Sequence, residues 1–89
     1  MTYSLEFRPS VLKSLRRFPK RDLVRLKKKM EGLANNLPST KITKMKGDNP
    51  FHKVRTGNYR IIYEIHENKL LILVVKIGHR KDVYKNIKL

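Results

Sequence analysis

Between Phe51 and Tyr84 the chain reads FHKVRTGNYRIIYEIHENKLLILVVKIGHRKDVY, and its centre, Thr56-Gly57-Asn58-Tyr59, leaves few folds open. Phe51–Arg55 and Tyr59–His66 are rich in β-branched and aromatic residues, and Gly-Asn between two such runs signals a tight hairpin. A two-residue loop at Gly57-Asn58 sets Thr56 opposite Tyr59, Arg55 opposite Arg60, Val54 opposite Ile61 and Lys53 opposite Ile62. Side chains alternate with period two, so Lys53, Arg55 and Arg60 share one face. Like charges placed side by side on a sheet are unfavourable. An anionic partner is the natural reason for keeping them there.

The next run, Leu70–Ile77, is apolar on both faces apart from Lys76, which predicts a central strand covered on two sides. Together the three runs form an antiparallel meander. Glu67-Asn68-Lys69 makes its second hairpin, and a loop of two residues or of three leaves open which face of the last strand joins the cations. Gly78 reads as the end of that strand, and His79–Lys88 as a short helix or irregular tail.

Upstream, Thr2–Arg8 alternates with Tyr3, Leu5 and Phe7 on one side, a half-buried first strand. Pro9 suits a first helical position, where its missing N–H costs nothing. Val11, Leu12, Leu15 and Phe18 follow at helical spacing until Pro19 stops or redirects the chain. A second helix from about Pro19 to Asn35 has Leu23, Leu26, Met30, Leu33 and Ala34 as its apolar stripe, with Arg21, Arg25, Lys28 and Lys29 opposite. The run Lys27–Lys29 reads as a solvated outer face. Asn35-Asn36-Leu37-Pro38 closes the helix. Lys41–Asp48 is a polar connection in which Ile42 and Met45 touch the core, and Gly47-Asp48-Asn49-Pro50 turns the chain into the meander. The order is β-α-α-β-β-β: one α+β domain over residues 1–89, a helical hairpin packed on a small, mainly antiparallel sheet.

The formal net charge is +15 on 89 residues. Residues 1–40 carry 10 Lys and Arg against 3 Asp and Glu, and residues 41–89 carry 12 against 4, so the charge belongs to the fold rather than to a tail. Such a field favours polyanions, nucleic acid first and an acidic protein second. The absence of cysteine removes disulfides and thiolate metal sites and agrees with a reducing compartment. No secretory leader pattern opens the chain, and its longest apolar run is too short to span a bilayer. A soluble, cytoplasmic protein without a membrane partner is expected.

The carboxylates (Glu6, Asp22, Glu31, Asp48, Glu64, Glu67, Asp82) form no convincing catalytic pair and no magnesium site. His52, His66 and His79 lack the clustered spacing of metal ligands. No Ser or Cys nucleophile motif and no phosphate-cradling glycine loop is present. An enzyme built from this chain works with Lys, Arg, His and Tyr, and neither metal nor cofactor is expected. Those groups suit RNA cleavage, in which the 2′-hydroxyl is an internal nucleophile beside the phosphate. Cations stabilise the phosphorane, and two protons move.

The KVRTGNYRIIYE core, the IGHRKDVY ending and the preceding strand and two helices resemble the RelE family of ribosome-dependent mRNA interferase toxins, across essentially the whole chain. The same RelE/ParE scaffold also carries gyrase poisons that lack this ribonuclease constellation. The resemblance implies catalytic roles for Lys53, Arg55, Arg60, His79, Arg80 and Tyr84: the cations bind the scissile phosphate and Tyr84 stacks on an mRNA base in the ribosomal A site. RNA contacts are expected from Lys46, Lys53, Arg55, Arg60 and Lys81. Arg55 and His79 both stand where the prototype has lysine. Arg stays protonated, so the base role passes to Lys53, His79 or Tyr84. The resemblance also implies an acidic, RelB-like antitoxin covering the cationic face. His52 shares a face with Val54, away from the cations, and is read as structural.

Overall fold

The computed structural model describes residues 3–36 and 44–79, His79 by its backbone alone. Its elements are β1 (Ser4–Phe7), α1 (Pro9–Leu15), α2 (Lys20–Asn35), β2 (Phe51–Thr56), β3 (Tyr59–His66) and β4 (Leu71–His79). The sheet order is β1-β4-β3-β2, with β1 parallel to β4 and the other neighbours antiparallel. This is the expected α+β arrangement, and β4 is central as its apolar composition requires.

The helical hairpin covers one sheet face, called inner here. Pro9 opens α1, and Pro19 caps α2, its carbonyl accepting from the backbone N–H of Asp22 at 3.0 Å and of Leu23 at 3.1 Å. Leu26, Met30, Leu33 and Ala34 are buried, while Arg21, Arg25, Lys28 and Lys29 are exposed, as an amphipathic helix on a sheet demands. Leu12 departs from expectation, being 48% exposed. Val11 and Leu15 define the inward direction of α1, and the residue after Val11 turns the helix by about 100°, carrying Leu12 off that face.

Tyr59, Ile61 and Tyr63 of β3 and Ile72, Val74 and Ile77 of β4 pack against Val11, Leu26, Met30 and Leu33. Each fully buried aliphatic or aromatic side chain contributes about 1.5–3 kcal/mol relative to exposure, so this layer dominates stability. A second, smaller cluster lies on the outer face, where Met45, Ile62 and Val75 are buried with Phe51 and Leu73 beside them. Met45 reaches it because residues 44 and 45 run along β2: Lys44 bridges His52, and the Met45 N–H donates to the Phe51 carbonyl at 3.0 Å. Ile42, its expected companion, lies outside the described residues.

Three details of the meander differ from the sequence reading. The β3–β4 connection holds four residues, a 3-10 turn at Glu67–Lys69 followed by Leu70 in the left-handed region at φ 48°. Gly78 does not end the strand. Arg60 pairs with Gly78 and Tyr59 with His79, because β3 still offers backbone partners there. Finally, the β3–β4 register shifts between Ile62 and Tyr63: Ile62 pairs with Lys76 but Tyr63 with Val74, leaving Val75 as an extra residue, a β-bulge. No helix among the described residues is long and apolar enough to cross a membrane.

Candidate nucleic-acid interface

The hairpin that places the cations is set by its turn. Gly57 has φ 59°, whereas Asn58 is not in the positive-φ region, the pattern of a two-residue hairpin loop with Gly first. Arg25 of α2 lies over this turn, and a Cβ at Gly57 would stand 2.8 Å from Arg25 Nη1. The resulting register is the one the alternation predicts: Arg55 opposite Arg60, Val54 opposite Ile61, Lys53 opposite Ile62.

Residues paired across strands share a face, so the outer face is a set of rows. Nearest the turn lie Arg55, Arg60 and Gly78; the next row holds Lys53, Ile62 and Lys76; the third holds Phe51, Glu64, Leu73 and Glu6. Successive rows are about 6.7 Å apart and neighbouring strands about 4.8 Å. Lys53 and Arg55 are exposed, and Arg60 and Lys76 are half-buried. Two unit charges about 6 Å apart repel by roughly 1–3 kcal/mol near a protein surface, and an anion lying over the first two rows would lower that repulsion.

The third row marks where the cationic field stops. Glu64 accepts from Arg8 Nη2 at 3.2 Å, and its other oxygen lies 3.0 Å from His66 Nε2. The carboxylate one row from Lys53 is thus already engaged by two partners. Among the described residues no carboxylate forms an ion pair with Lys53 or Arg55.

Lys53, Arg55 and Arg60 are therefore brought together. Lys46 follows Met45 in the loop beside the Phe51 end of β2, its carbonyl accepting from Asn49 Nδ2 at 2.9 Å. His79 joins the sheet through its backbone pairing with Tyr59. Arg80, Lys81 and Tyr84 lie outside the described residues. His52 is on the inner face, 8% exposed and stacked on Tyr63 at 5.6 Å between centroids. Burial first, and the nearby Lys44 ammonium second, push its pKa below the ordinary 6.5, so it is a neutral core imidazole. Lys76 was not among the sequence candidates. Its signal was a lysine in an otherwise apolar strand, but its side depended on a register shift the alternation does not reveal.

A helical hairpin on one side of a mixed sheet and a row-wise cluster of cations on the other, beside a small buried apolar cluster, define the class, a small basic α+β protein. The chain belongs to the family described as ParE toxin of type II toxin-antitoxin system, parDE, whose sequence profile matches residues 5–84, and within the RelE/ParE superfamily its relatives carry the RelE name. It is 33% identical over 89 residues to a candidate toxin of Methanocaldococcus jannaschii designated RelE1, covering 97% of this chain and 99% of that one. It is 28% identical over 88 residues to the mRNA interferase toxin RelE of Escherichia coli K12, covering 94% and 92%. The toxin fold in the crystal structure of the intact E. coli RelBE toxin–antitoxin complex superposes with a TM-score of 0.75 at 26% identity, covering 86% of this chain and 95% of that one.

Proposed function

We propose that this toxin is an endoribonuclease that cleaves mRNA in the ribosomal A site, with the outer face of β2, β3 and β4 holding the scissile phosphate. The observation that carries the reading is Arg55 directly opposite Arg60, with Lys53 on the same face. The similarity to a protein named mRNA interferase RelE supports it.

In this reading the 2′-oxygen attacks the adjacent phosphorus in line, the bond to the 5′-oxygen breaks, and the products are a 2′,3′-cyclic phosphate and a 5′-hydroxyl. The guanidinium groups of Arg55 and Arg60 meet the equatorial oxygens as charge builds on the phosphorane. The 2′-OH proton goes to Lys53, His79 or Tyr84, and the leaving 5′-oxygen receives a proton in turn. Arg80 adds a further cation, and Tyr84 orients a base by stacking. DNA is no substrate because it has no 2′-OH. An acidic, RelB-like antitoxin covers the cationic face and silences it; the RelBE complex of the E. coli relative supports such a partner.

The test is primer extension on mRNA in programmed ribosome complexes, with free RNA in EDTA as comparison. Cuts at the A-site codon only with ribosomes present are expected. A second reading, gyrase poisoning, is favoured by the ParE description of the matching family. Intact mRNA together with growth arrest and a DNA-damage response would replace the first reading by the second.

A further inference from the structure

We propose that Lys76 is a fourth cation of the outer-face site and binds the phosphate next to the one held by Arg55 and Arg60, a role that rests on the RNA reading above. Ile72 and Val74 are fully buried in the layer beneath the helices. Strict alternation would carry Lys76 into that layer too, where an ammonium group pays a heavy desolvation cost. The bulge at Val75 prevents it. Val75 joins the outer cluster at 6% exposure, Lys76 pairs with Ile62 on the same side, and Ile77 returns to the inner core at 2% exposure.

The position reached is specific. Lys53 and Lys76 flank Ile62 in one row, two strand spacings or about 10 Å apart, and both adjoin the row of Arg55 and Arg60. Gly78, beside Arg60, adds no side chain to the floor. A cationic patch of that width exceeds one phosphate, so it engages successive phosphates of a strand. Bulges re-aim side chains next to active sites, and here the one register shift in the β3–β4 ladder delivers a lysine to the phosphate-binding face.

The experiment measures binding of a short fluorescein-labelled 2′-O-methyl RNA, which cannot be cut, to the full chain as a function of salt. Lys76→Gln is expected to lower the log–log salt slope by about 0.7, one single-strand phosphate contact, and to weaken binding about fivefold at about 0.1 M salt. Lys76→Arg is expected to restore both. Lys69→Gln, at the far end of the sheet, is expected to leave both unchanged. On ribosome complexes Lys76→Gln should raise KM and leave kcat in place.

An unchanged slope and affinity in Lys76→Gln, with wild type binding RNA and cutting mRNA, overturns the role of Lys76 while the RNA reading stands. Wild type that neither binds the probe nor cuts overturns both. Lysine acetylation footprinting of wild type guards against a poorly folded variant. RNA should shield Lys76 and leave Lys69 reactive, and equal labelling of Lys76 with and without RNA overturns the proposal.

Discussion

The Tyr59 hydroxyl donates a 2.7 Å hydrogen bond to Asp22 Oδ2, tying the first turn of α2 to the first residue of β3. Tyr59 is 7% exposed and packs on Phe18 at 5.0 Å between ring centroids, so the bond is sheltered by the helical hairpin. Arg60 follows immediately, and the contact fixes where its strand begins. Hydrogen bonding to Asp22 raises the Tyr59 pKa above 10.0, with burial and the Asp22 charge adding to it.

Tyr59→Phe and Asp22→Asn are each expected to cost about 1 kcal/mol, and a double-mutant cycle should show the two losses to be coupled. For a chain of this size that lowers Tm by about 4–8 °C. Because the folded-state pKa of Tyr59 is raised, its contribution is full below pH 10 and fades as pH rises through the folded value. Denaturant titrations at increasing alkaline pH check the sign: Tyr59→Phe should lose less stability there than wild type.

His52 governs the acid side. Its pKa is depressed in the fold, so its contribution is present above 6.5 and is lost as pH falls through the lower folded value, where the unfolded chain already binds the proton. His52→Phe keeps a ring to stack on Tyr63 and removes the titration. The slope of unfolding free energy between pH 7.5 and 5.5 should be shallower in that variant than in wild type.

Leu70 occupies the left-handed region at φ 48° and is 40% exposed, a position where a branched side chain is strained and gains little by burial. Leu70→Asn, which tolerates that conformation, is expected to stabilise the protein by about 0.5–1 kcal/mol. A lower denaturation midpoint in the variant would contradict this.

Arg55 and Arg60 face each other across β2 and β3, so the phosphate-binding role proposed for this pair would oppose stability. Arg55→Thr removes the repulsion and installs a good strand former, and is expected to gain about 0.5–1 kcal/mol while lowering ribosome-dependent cleavage at least tenfold. Thermal denaturation and primer extension on the same preparation check both halves.

Arg80→Ala is expected to abolish growth arrest on induction with little loss of folding. Retained arrest in cells that accumulate the variant to the wild-type level would count strongly against Arg80 as part of the site.

Much of this molecule was legible in one dimension. The Gly57-Asn58 turn and a period of two were enough to pair Arg55 with Arg60 and Lys53 with Ile62, because a two-residue loop sets register directly. Helical spacing likewise marked the buried stripe of α2. Lys76 was not legible, since β4 is apolar on both faces and its alternation names no inner side. Only the tertiary structure, by burying Val75 against Ile62 and Met45 outside and Ile77 against the helices inside, inserted the bulge that turned Lys76 outward. Local periodicity records which residues of a strand share a face. Which face meets the core, and where the ladder slips, is decided by what packs on each side.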